Sequence, residues 1–168
     1  SNRKSGVVYT RSNAFNQGGV PVLTWVRWVL VRKRDPSASV PAAVTPTLSG
    51  RVAQADLTFP ALPGDLAPLF AATGCGDCWE DYEVGERINH PNAMTVNDSD
   101  HSTATRLYQN TAKVHFDAVQ MRSTPAGKRL VYGGHVISLC RSLAYDGLEN
   151  TFTVLAVNGG THVAPTYA

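Results

Sequence analysis

The sequence has few of the features that mark a specialised environment. It has no long hydrophobic run: the longest apolar stretch, Val20 to Val31, carries Thr24 and Arg27 inside it. That is shorter than the roughly 20 residues needed to cross a bilayer, so it is not a membrane helix. The opening residues, Ser1-Asn2-Arg3-Lys4-Ser5-Gly6-Val7, show none of the apolar segment that a secretory signal requires. Cysteine is scarce, and three thiols, an odd number, do not read as a disulfide framework. A reducing cytoplasm is the expected setting. Charge of one sign is also missing: 15 basic against 13 acidic residues leave +2. Nucleic-acid binding needs clustered cations that neutralise many phosphates, so the charge balance counts against a DNA-binding role. With 43% hydrophobic and 17% charged residues over 168 positions, the chain reads as a folded protein rather than a disordered one.

Two extended segments open the chain. Gly6-Val7-Val8-Tyr9-Thr10 is β-branched, and after Asn16-Gln17-Gly18-Gly19 the sequence runs from Val20 to Lys33 with almost no polar break. The glycine pair predicts a hairpin. Val22, Thr24, Val26, Trp28 and Leu30 share one face of the second segment, and Leu23, Trp25, Val29 and Val31 the other. Two apolar faces predict a strand covered on both sides. From Pro36 to about Gly76 prolines recur among small and polar residues, which reads as a linker between two units. Beyond it, a short strand is expected around Tyr82 to Ile88. A helix follows from an Asn97 N-cap to about Tyr108, with Asp98 and Asp100 favouring its positive end. A second helix over 134–146 is marked by Val136, Leu139, Cys140, Leu143 and Ala144 at i, i+3, i+4, i+7 and i+8, with Gly147 as its left-handed cap and Cys140 as a core residue. Thr151 to Val157 reads as a closing strand. Strand, linker and helix order together read as a chain cut at both ends.

The densest polar cluster is Tyr108 to Asp117. His115 within it is the side chain that exchanges protons near neutral pH without a large shift, and Asn110 can orient a water or a carbonyl. A histidine between helices is more often structural than catalytic. Gly133-Gly134 opens the second helix: it is either a tight turn or a place where a ligand oxygen approaches free amides. Cys75-Gly76-Asp77-Cys78 has the spacing of half a zinc site, but no second pair follows, and no metal is expected. Arg106, Lys113, Arg122, Lys128, Arg129 and Arg141 surround the His115 segment as candidate partners for carboxylate or phosphate.

Three blocks carry a resemblance: Asp81-Tyr82-Glu83-Val84-Gly85, then Ala104 to Phe116 (ATRLYQNTAKVHF), then Val131 to Leu139 (VYGGHVISL). In that order they are similar to the hydratase half of the MaoC-like hotdog family. Trp25 to Pro36 resembles the end of a first hotdog in the branch acting on mesaconyl-CoA and β-methylmalyl-CoA. The resemblance implies an α+β hotdog fold, an antiparallel sheet wrapped around a long helix, here as a fragment of a double-hotdog protein. Residues 1–35 would be the last strands of the first unit, 36–78 the linker, and 79–168 the front of the second, catalytic unit. It further implies reversible hydration of an α,β-unsaturated acyl-CoA, with CoA as part of the substrate, no separate cofactor, and a homodimer with no nucleic-acid or membrane partner. His115 would be the acid/base, Gly133 or Gly134 the backbone donor, and Lys113, Arg141 and Tyr132 substrate-binding residues. Many family members carry Asp where this chain has Asn110. An amide is no carboxylate base, so Asn110 is assigned to orienting water or substrate. A non-catalytic acyl-CoA-binding or dimer-supporting module and an acyl-CoA thioesterase are the alternatives. The 168 residues alone, with unpaired strand edges, are expected to be poorly stable and inactive, so a cooperative transition of a monodisperse monomer would contradict this.

Overall fold

The computed structural model describes residues 3–39, 47–62 and 64–168. It divides into two units, Ser1–Ser49 and Gly50–Ala168. The boundary falls inside the Pro-rich stretch.

The first unit is a β-hairpin. Strand β1, Ser5–Phe15, pairs antiparallel with β2, Pro21–Arg32, in a register running from Ser5 opposite Arg32 to Ala14 opposite Leu23, with an irregularity between Ala14 and Phe15. The turn is built by Asn16, whose Oδ1 accepts from the amides of Gly18 at 2.9 Å and Val20 at 3.0 Å. Gly19 takes a φ of 75° there, a region that disfavours any residue with a Cβ. Tyr9 and Trp28 face each other across the strands, edge to face at 5.0 Å, an arrangement that stabilises a ladder by about 0.5–1.5 kcal/mol. The covering expected for both faces of β2 is absent within the unit: Val22, Leu23, Trp25, Trp28, Leu30 and Val31 are all exposed.

The second unit is helical. The latter part of the Pro-rich stretch folds into it: helix α1, Ala67–Thr73, begins with a proline in its first turn and ends at Gly74 in the left-handed region. The Thr73 hydroxyl donates to Asn150 Oδ1 at 2.7 Å, and the Asn150 amide donates to the carbonyls of Cys75 and Asp77. Helix α2 covers Asp98–Leu107 from an Asn97 N-cap, as its sequence signals require. The Asn97 side chain does not cap the backbone, however; it donates to Asp100 at 3.0 Å and holds that carboxyl below its ordinary range. Two single-turn helices follow, α3 at Lys113–Phe116 and α4 at Ala118–Met121. Helix α5 spans Gly133–Leu143, ending three residues earlier than its periodicity predicts. Among the described residues, no helix is long and apolar enough to cross a membrane.

Three expectations fail here. Neither 82–88 nor 151–157 is a strand. Alternating β-branched residues need a partner ladder to become a strand, and neither segment has one; Phe152, Val154 and Val157 are exposed. Cys140 is exposed rather than core, and α5 has no buried residue at all. Its apolar periodicity identifies a face that is only partly covered: Val136, Leu139, Leu143 and Ala144 are half-buried, while Cys140 is exposed.

Candidate active site

Four described residues are buried: His101, Ala104 and Thr105 on α2, and Val131 just before α5. Of these, His101 meets the His115 ring edge-on, with centroids 6.4 Å apart. Among the described residues, the buried side chains gather on α2 and just before α5.

The backbone of Leu130 organises this junction. Its amide donates to the Val114 carbonyl at 3.0 Å, and its carbonyl lies 2.9 Å from His115 Nδ1. A carbonyl only accepts, so Nδ1 carries the proton and the lone pair of neutral His115 sits on Nε2. Val131 donates onward to the Thr166 carbonyl at 2.8 Å, and Leu130 bridges Tyr167. The C-terminal residues, which carry no sequence signal of an element, thus brace the site from the other side.

Tyr132 is the N-cap of α5, and its ring packs against His115 with centroids 5.8 Å apart and against Tyr108 at 6.3 Å. His115 is therefore seated against the residue that immediately precedes Gly133 and Gly134. These glycines are the first two helical residues, whose N–H groups have no acceptor within a helix and lie at the positive end of its dipole. Their lack of side chains has local causes. A Cβ on Gly134 would stand 2.6 Å from Tyr132 Cζ, and one on Gly133 would stand 2.7 Å from His162 Nε2.

Asn110 is close in sequence but differently employed. Its Oδ1 accepts from the Ala112 amide at 3.0 Å and its backbone N–H donates to the Thr105 carbonyl at 2.9 Å, so its side-chain oxygen shapes the loop entering α3. Lys113 is exposed at the first position of α3. Arg141 is exposed in the last turn of α5. Eight residues at about 1.5 Å each put it roughly 12 Å along the axis from Gly133, and no described contact joins it to His115 or Tyr132. The structure brings His115 against Tyr132, the residue before the glycine pair; no described contact brings Arg141 to them.

His101 is the residue that sequence reasoning missed. It is fully buried, and its Nε2 accepts from the Tyr132 amide at 3.1 Å. The only available signal was its position at i with Ala104 and Thr105 at i+3 and i+4, which places it on the inner face of α2. Arg129 clamps the same segment: Nη1 donates to Ser102 Oγ at 3.1 Å and Nη2 pairs with Asp98 in the first turn of α2. Away from the junction, the Cys75 thiol hydrogen-bonds Glu149, which pushes the thiol up and holds the carboxyl down. That suppresses the thiolate on which metal or redox chemistry depends.

No family model matches the chain. Two curated proteins do: mesaconyl-CoA hydratase of Cereibacter sphaeroides, 49% identical over all of this chain, and β-methylmalyl-CoA dehydratase of Chloroflexus aurantiacus, 47% identical over 98% of it. A crystal structure described as a MaoC domain protein dehydratase of Chloroflexus aurantiacus superimposes with a TM-score of 0.92 at 46% identity over 99% of the chain. Over nearly its whole length the chain is similar to these MaoC-type hydratases and dehydratases. The chain spans about half the length of the relatives it matches, 48% and 47% of the two curated proteins and 48% of the crystallised chain. The mixture of an antiparallel sheet and helices is an α+β arrangement, in keeping with the MaoC domain of this neighbour.

Proposed function

We propose that these residues form part of a double-hotdog hydro-lyase that reversibly adds water to an α,β-unsaturated acyl-CoA, converting mesaconyl-CoA to β-methylmalyl-CoA in a cytoplasmic homodimer. Residues 1–35 would close the first hotdog, 36–78 connect the units, and 79–168 open the second. The observation that carries this reading is the contact of His115 Nδ1 with the Leu130 carbonyl, which leaves Nε2 bare, on a ring packed against Tyr132, the N-cap of α5. In hydration, Nε2 takes a proton from water as its oxygen bonds to Cβ; the π electrons move to the thioester oxygen, and the enolate is held by an amide of Gly133 or Gly134. The enolate collapses as Cα receives the proton. With an amide at position 110, His115 is the group that makes both transfers.

The test is turnover by the full-length protein. Loss of the enoyl thioester with a hydrated CoA product supports the lyase. Release of free thiol marks a thioesterase, and binding without turnover marks a non-catalytic module. The substrate's second carboxylate is assigned to Lys113. Replacing it, Lys113→Ala, should lower kcat/KM for mesaconyl-CoA by about 10-fold or more, the size of one charge-assisted hydrogen bond, and leave crotonyl-CoA turnover nearly unchanged. An unaltered preference between the two thioesters removes Lys113 from the site.

A further inference from the structure

We propose that His101 is a positioning residue: its imidazole, locked neutral inside the junction, holds the Tyr132 amide and thereby sets the start of α5 against His115. This rests on the hydratase reading for its catalytic consequence. The structural argument stands on three observations. The Tyr132 amide is a donor, so His101 Nε2 at 3.1 Å must be bare. The neutral ring then carries its proton on Nδ1, an atom buried without a partner. An unpaired buried donor is costly, and a residue chosen only to fill space would avoid it. The His101 ring also meets the His115 ring edge-on, with centroids 6.4 Å apart at 88°. One imidazole thus touches both the amide leading into Gly133 and the candidate base.

A histidine can hold this place only while neutral, because protonation would turn the acceptor into a second donor facing an N–H. The surroundings keep it neutral. Burial is the main cause that holds its pKa below the ordinary 6.5, and the Arg129 guanidinium and the neighbouring His115 and His135 act in the same direction, while Asp98 opposes them. The consequence for stability has a definite sign. Above pH 6.5 the folded and unfolded forms of this residue are both neutral; as pH falls below it the unfolded chain takes up the proton first, so stability declines until the folded-state pKa is passed.

The discriminating variants are His101→Gln, whose side-chain oxygen reaches the Nε2 position and does not titrate, and His101→Leu, which keeps bulk but offers no acceptor. In the full-length protein, His101→Leu should lower kcat on mesaconyl-CoA by about 30-fold or more, the scale of a misplacement of about 1 Å, with KM within about threefold. His101→Gln should recover most of kcat and flatten the loss of stability just below pH 6.5. Full kcat in His101→Leu overturns the proposal. So does an equal loss in both variants that follows their melting temperatures, because that describes packing alone. If the parent protein hydrates no acyl-CoA, the hydratase reading fails by itself. The tie is then read from imidazole 15N shifts, where a protonated Nε2 at pH 7 overturns it and a bare Nε2 that becomes protonated when Tyr132 is replaced by Pro upholds it.

Discussion

Replacing His115 with asparagine should abolish hydration while leaving the fold almost untouched. The asparagine side-chain nitrogen lies where Nδ1 lay, so the donor to the Leu130 carbonyl survives, and what is lost is Nε2 alone. Acid–base groups of this kind contribute about 10²- to 10⁴-fold. Because Asn110 cannot share proton transfer, the loss in kcat/KM should lie toward the upper end. His115→Ala should lose as much activity and also melt lower, since a half-buried carbonyl is left without its partner at a cost of about 1–3 kcal/mol. Comparing the two separates chemistry from support. Activity of His115→Asn within tenfold of the parent, at equal melting temperature, would rule out His115 as the base and with it the mechanism.

How far the sequence reveals this site depends on the kind of signal each residue leaves. α2 and α5 were legible because an Asn-Asp start and a 3.6-residue period are local properties. His115 and the glycine pair stand out as candidates because few residue types exchange protons at neutral pH or leave a helix start bare. What was hidden depends on contacts distant in sequence. His101 reaches Tyr132 across 31 positions, and the Thr166 carbonyl reaches back to Val131. Neither has a local pattern. The failures at Cys140 and Thr151–Val157 have a related cause: periodicity says which side chains share a face, whereas burial and strand pairing depend on what lies opposite. Over half of each matched relative falls outside this chain. Asn110 belongs to neither group: its type was read correctly as incompatible with a carboxylate base, but its commitment to the Ala112 amide became visible only in the folded loop.

The two glycines that open α5 should respond very differently to alanine. At Gly134 the new methyl would stand 2.6, 2.7 and 2.8 Å from three atoms of the Tyr132 ring, Cζ, Oη and Cε1. That ring is held between His115 and Tyr108, so it cannot turn aside without moving the imidazole, and overpacking of this sort costs about 1–3 kcal/mol. At Gly133 the methyl meets His162, an exposed side chain contacted at its tip, which can swing into solvent. The backbone there is not in the left-handed region, because Gly133 and Gly134 are absent from the positive-φ glycines, so alanine brings no strain and gains helix propensity of up to about 1 kcal/mol. Gly133→Ala should therefore melt at or slightly above the parent temperature and keep most of its activity. Gly134→Ala should melt several degrees lower and lose at least tenfold in kcat, because the Tyr132 ring and the imidazole packed against it are displaced together. Thermal melts and initial rates on the full-length protein decide the matter. Equal tolerance of the two substitutions would mean that Tyr132 is free to move, and that the packing of His115 against it does not set the geometry of the reaction.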